Sequence, residues 1–175
     1  MNRTVLFLLS IILIASACDG PQKAKETETD SLIESILKQE DKVYNGGQNR
    51  LQEQDALVLV GLYEKFAKEN PADSLTPEYL FRASDLSMNL RRPMRTIQLF
   101  DHILTEYPDF NKAPAALFLK AFVYEDQLQD YGNAKQYYEL FLVKYPNSEF
   151  ADDAEISLKN LGKTPEELIQ EFESK

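Results

Sequence analysis

The chain repeats one phrase three times. Tyr63-Glu-Lys-Phe-Ala-Lys-Glu-Asn-Pro71, Phe100-Asp-His-Ile-Leu-Thr-Glu-Tyr-Pro108 and Tyr138-Glu-Leu-Phe-Leu-Val-Lys-Tyr-Pro146 each open on an aromatic and close on proline. The prolines stand 37 and 38 residues apart. Upstream of each phrase the match continues, since Pro77, Leu80, Phe81 and Ser84 return 37 residues later as Pro114, Leu117, Phe118 and Ala121. Phe100, Ile103, Tyr107 and Pro108 return 38 later as Tyr138, Phe141, Tyr145 and Pro146. The single extra residue therefore falls in the intervening turn, near Leu128. A recurrence of this length marks stacked units, none of which buries its apolar face alone. Apolar residues three and four apart make each unit helical. The spacing predicts an all-α fold of tandem helix-turn-helix repeats.

The flanks extend the pattern. Leu32, Ile33, Ile36 and Leu37 form one helical stripe after Asp30, and Gly46-Gly47 breaks the chain. A long helix follows from about Asn49 to Glu69, its stripe running through Leu51, Leu57, Val60, Tyr63 and Phe66 until Pro71 stops it. Near the C-terminus Phe150, Ala154, Leu158 and Leu161 form another amphipathic helix, with Gly162 as its stop. Thr164-Pro165-Glu166-Glu167 opens a last short helix with proline in the first turn and a capping-box pattern. Leu168, Ile169 and Phe172 are expected to close the core of the last repeat.

The wording resembles the tetratricopeptide repeat family, whose helix pair places a large residue early, small residues mid-helix and at the start of the second helix, then an aromatic, an apolar residue and a proline. In the central repeat these are Leu80, Ser84, Thr96, Phe100, Ile103 and Pro108; in the next they are Leu117, Ala121, Ala134, Tyr138, Phe141 and Pro146. The resemblance implies a short right-handed solenoid over residues 30–175. It comprises a degenerate N-terminal hairpin over 30–71, where bulky Leu59 replaces a small residue, repeats at 77–108 and 114–146, and C-terminal capping helices over 149–175. It also implies binding along the surface made by the first helices. Family positions put Phe81, Asp85 and Met88 there in the central repeat, and Phe118, Phe122 and Glu125 in the next. Such a groove of aromatics rimmed by acids suits an amphipathic or basic peptide. The other reading of Phe118 and Phe122 is packing against the neighbouring hairpin or the C-terminal helix.

The start of the chain carries a different signal. Met1-Asn-Arg3 is cationic, Val5 to Ala15 is uncharged and apolar, and small residues precede Cys18, the lone cysteine. That is the layout of a secretion signal. The apolar run is shorter than the roughly 20 residues a membrane-spanning helix needs. Ala15-Ser16-Ala17-Cys18 resembles the lipobox of bacterial lipoproteins. The resemblance implies removal of residues 1–17, a diacylglyceryl group on the Cys18 sulfur and a fatty acyl (palmitate-type) group on its amine. Residues 18–29 hold no large apolar side chain and are expected to be a flexible tether. Lipobox and repeats together are similar to the repeat domains of envelope lipoproteins such as those of outer-membrane β-barrel assembly and the Tol-Pal-associated coordinator. The expected location is therefore the bacterial cell envelope, the outer membrane more than the inner, with the domain facing the periplasm or the cell surface.

Charge and motif content narrow the function. The formal net charge is −10, and it becomes −11 once Arg3 leaves with the signal. That excludes a nucleic-acid partner, which needs a clustered positive patch. No phosphate loop, nucleophile elbow or metalloprotease motif occurs, and the single histidine, His102, cannot build a histidine metal site. The carboxylate pairs Asp152-Asp153 and Glu166-Glu167 each sit in a first helical turn, where the helix dipole accounts for them. No catalytic residue, metal or cofactor is expected. The expected function is a lipid-anchored scaffold or adaptor for a protein partner, attached to the membrane through Cys18. The alternative is a small-ligand or glycan-binding lipoprotein of an uptake system.

Overall fold

The computed structural model describes residues 21–46 and 52–174. Cys18, the signal, Gly47, Asn49 and Leu51 lie outside the described residues. Eight α-helices follow in order and, among the described residues, there is no strand: α1 Pro21–Asn45, α2 Glu53–Glu69, α3 Thr76–Asn89, α4 Pro93–Glu106, α5 Ala113–Phe122, α6 Tyr131–Lys144, α7 Ala151–Asn160 and α8 Pro165–Glu173. α1 through α6 each pack on the helix next in sequence, as expected of stacked hairpins. α1 already begins at Pro21, so most of the expected tether is helical, and Thr29 donates to the Asn70 side chain at 2.9 Å. Composition missed this because Gln22, Lys23, Ala24, Lys25 and Glu26 form helix readily without an apolar stripe.

The prolines act as predicted. Asn70, Tyr107 and Tyr145, each just before proline, leave the helix with φ near −130° and ψ near 55°. Proline's ring disfavours the α region for the residue preceding it. The same turn then forms each time: Asp73, Phe110 and Ser148 donate back to the carbonyls of Asn70, Tyr107 and Tyr145. Thr76, Ala113 and Ala151 next donate to Asp73, Phe110 and Ser148 and start the following helix. The same linker hydrogen bonds thus recur between all three pairs of elements.

The extra residue is absorbed just before the turn. α3 ends with Arg91 in the left-handed region (φ 51°), Arg92 donating to the Ser87 carbonyl five residues back, a Schellman termination. In the next hairpin α5 continues as a π-helical turn, Val123–Gln127, and Gln129 takes the left-handed role (φ 52°). Asp130 then donates to Tyr124, six residues back. A π turn holds one more residue than an α turn, and α6 starts undisturbed.

Every repeat position named from sequence is buried within α3 to α6: Leu80, Ser84, Thr96, Phe100, Ile103, then Leu117, Ala121, Ala134, Tyr138 and Phe141. Burying large side chains of this kind stabilises by about 1.5–3 kcal/mol each. Leu59 is fully buried with Ala56, Val60, Tyr63 and Phe66, so the first hairpin accepts the larger residue. Two apolar clusters result, one across α1 to α4 that also takes in Ala116 of α5 and Val123 of the π turn, and one across α5 to α7; Leu104 and Tyr124 touch both. The capping box forms as expected: Glu167 N–H donates to Thr164 Oγ1 at 3.2 Å and Thr164 N–H to Glu167 Oε2 at 2.8 Å. Of the three residues expected to close the core, Ile169 does not. Ile169 is 57% exposed, and the side chains of Leu168 and Phe172 lie outside the described residues.

Candidate protein-binding surface

The first helices of the hairpins, α1, α3 and α5, are joined by polar contacts. Arg82 on α3 donates through Nη1 to Glu40 of α1 at 2.8 Å and through Nε to Glu78 at 3.0 Å. Lys112, at the N-terminus of α5, reaches both Glu78 oxygens at 2.8 and 3.0 Å. Burial alone would raise the Glu78 carboxyl, but Lys112 and Arg82 outweigh it and hold it below its ordinary range. Tyr63 OH donates to Glu40 at 2.5 Å; burial and then that carboxylate push its pKa far up, keeping it a donor. At the other end of α3, Gln127 Nε2 donates to the Met88 carbonyl at 2.9 Å. Contacts near both ends thus hold α5 alongside α3. Of these partners Tyr63 and Met88 are named from sequence, neither for a polar contact. Only the Glu78–Arg82 spacing of four is readable as a helical ion pair; the others span 23 to 42 residues.

The six groove residues expected from sequence divide sharply. Phe81 is half-buried, its ring 6.3 Å from those of both Phe100 and Phe110, with Lys112 Nζ 5.0 Å above its face. Met88 packs against the core of α1 to α4. Phe118 turns inward, its ring centroid 5.7 Å from Tyr138 and Phe141 and stacked on Phe150 at 5.2 Å. Its packing is the alternative kept open above, supplied by the residue capping α7. Glu125 accepts the Tyr138 hydroxyl at 2.7 Å. Asp85 and Phe122 stay at the surface. Phe122 is 38% exposed. Asp85 interacts with the Asn89 amide and, among the described residues, with no cation, and burial by its neighbours pushes its carboxyl up.

A second polar group lies between α4, α5 and α6. The Lys120 side chain is only 5% exposed; it bonds Asp101 and sits 3.8 Å over the Tyr137 ring, which stacks on Tyr124 at 5.3 Å. Burial would lower the Lys120 pKa, yet Asp101 and Tyr137 outweigh it and raise it. The ammonium is fully engaged and stays charged. His102 is exposed, its ring 5.9 Å from Tyr107. Clefts of about 660 Å³ between α1 and α2 and about 320 Å³ between α2 and α4 are lined by none of the six groove residues. Among the described residues no three His, Cys, Asp or Glu side chains gather as a metal site, and no helix is long and apolar enough to cross a membrane.

A family model for the tetratricopeptide repeat matches residues 115–148. That span contains most of α5, all of α6 and the start of the linker to α7. The chain therefore contains a tetratricopeptide repeat there, in the hairpin whose sequence follows the family positions most fully. No curated protein matches the chain.

Proposed function

We propose that this tetratricopeptide-containing chain is a lipid-anchored scaffold of the bacterial cell envelope that holds a protein partner against α1, α3 and α5. Repeats of this type generally mediate protein–protein interaction through the extended surface their stacking creates. The observation that carries the reading is Phe122, an exposed aromatic on the helix face where the other rings, Phe81 and Phe118, are taken up by packing. An aromatic left at a surface is what a binding face offers a partner. The anchor half rests on the Ala15-Ser16-Ala17-Cys18 motif, and the outer-membrane location is part of the same proposal.

Two measurements separate the halves. With Cys18→Ala, the protein loses metabolic fatty-acid label and membrane association; retention of both overturns the anchor. With Phe122→Ala, affinity capture from native membranes loses its partner while the melting curve stays in place. Unchanged capture overturns the binding face.

A further inference from the structure

The face of α1, α3 and α5 carries two unlike rows of side chains. One row is Glu40, Arg82, Glu78 and Lys112, in which every charge has an opposite partner. One helical turn further toward the C-terminal ends of α1 and α3 stand Tyr44 and Asp85, four and three residues beyond Glu40 and Arg82. The Glu40–Arg82 bond at 2.8 Å sets those two turns side by side, and after burial the charges of Asp85 and Glu40 push the Tyr44 hydroxyl up. Phe122 stands level with Asp85, because the Glu78–Lys112 and Met88–Gln127 bonds bracket the two residues along α3 and α5. This second row is open. Tyr44 is 58% exposed, Phe122 38%, and Asp85, on the helix between theirs, has no cation among the described residues.

We propose that the row Tyr44, Asp85 and Phe122 takes the side chain of a lysine or arginine carried on the partner's docking segment. The inference rests on the binding face proposed above and names the chemistry of its occupant. A carboxylate partly stripped of water gives charge-assisted bonds to an ammonium or guanidinium. Flanking rings pack on the aliphatic stem and turn their negative faces to the cation. The neighbouring row, with each charge matched, offers no comparable site. A net charge of −10 steers basic segments toward the protein from a distance, whereas Asp85 is placed to select one at short range.

The test uses the full chain in detergent and a short fluorescein-labelled peptide of alternating lysine and leucine, followed by anisotropy. A glutamate-for-lysine peptide is the counterpart. Asp85→Lys is expected to weaken the basic peptide by about tenfold or more. Asp152→Lys, the same charge change in the exposed first turn of α7, should leave it within about twofold. Phe122→Ala weakens both peptides' apolar contact, and the acidic peptide binds poorly throughout. Melting curves confirm that each variant is folded. Equal losses for Asp85→Lys and Asp152→Lys would mean diffuse attraction to the net charge and overturn the proposal. A loss with Phe122→Ala but none with Asp85→Lys overturns the cation site and leaves the binding face standing. No loss with any variant overturns both.

Discussion

Phe118 and Phe122 stand one turn apart on α5, and the structure gives them opposite roles. Truncating each to alanine therefore makes a sharp comparison. Phe118→Ala removes a half-buried ring and its contacts with Tyr138, Phe141 and Phe150 at 5.2 to 5.7 Å. Such aromatic pairs add about 0.5–1.5 kcal/mol each beyond burial. Full Phe→Ala truncations in cores cost about 3–5 kcal/mol, so a half-buried ring belongs at the lower end, about 3 kcal/mol. Phe122 has no ring partner among the described residues, and its truncation costs under about 1 kcal/mol. For a domain of this size 1 kcal/mol moves the melting temperature by about 2–4 °C. Phe118→Ala should thus melt about 6–12 °C lower, and Phe122→Ala within about 3 °C of the parent. Far-ultraviolet circular dichroism in urea and on heating reads both. Losses equal within about 0.5 kcal/mol would refute the division of α5 into a core ring and a surface ring.

Three further outcomes follow from the same geometry. Gln129→Gly should stabilise by about 0.5–1 kcal/mol, because glycine adopts φ 52° without a Cβ clash; urea midpoints check it. Asp101→Ala should cost about 3 kcal/mol by leaving the buried Lys120 ammonium unpaired. Lys120→Met should cost under about 1, since half-exposed Asp101 returns to water. Glu78→Gln should cost about 1 kcal/mol near neutral pH. The folded Glu78 carboxyl lies below its unfolded value, so this stabilisation is present above about pH 4.3 and lost as pH falls through the folded value. The gap between parent and variant in urea should therefore close on acidification.

The helical pairs were legible because tandem recurrence shows each apolar position twice, once at Leu80, Phe100 and Ile103 and again at Leu117, Tyr138 and Phe141. The linkers were legible because proline acts on the residue next to it. What escaped depends on side chains meeting across hairpins. Lys120 stands where the previous repeat has Ala83, and lysine there reads as solvent-facing until Asp101 and Tyr137 are brought over it. Phe118 and Phe122 have the same local pattern, and what distinguishes them is the arrival of the Tyr138, Phe141 and Phe150 rings around Phe118. The π turn could be counted but not typed: one surplus residue was evident, whereas its place at Val123–Gln127 depends on how the helix end closes. Glu40 and Arg82, 42 residues apart, meet because the stacking brings α1 beside α3.

The central claim is that the partner is held on the α1, α3 and α5 face. Its most direct test replaces single residues with a photo-crosslinking amino acid in the full-length protein in native cells. One position is Phe122, and the control is Val143 on α6, which is 80% exposed. Irradiation should join a discrete protein to position 122 and leave position 143 without product. A discrete product at 143 with none at 122 would contradict the claim.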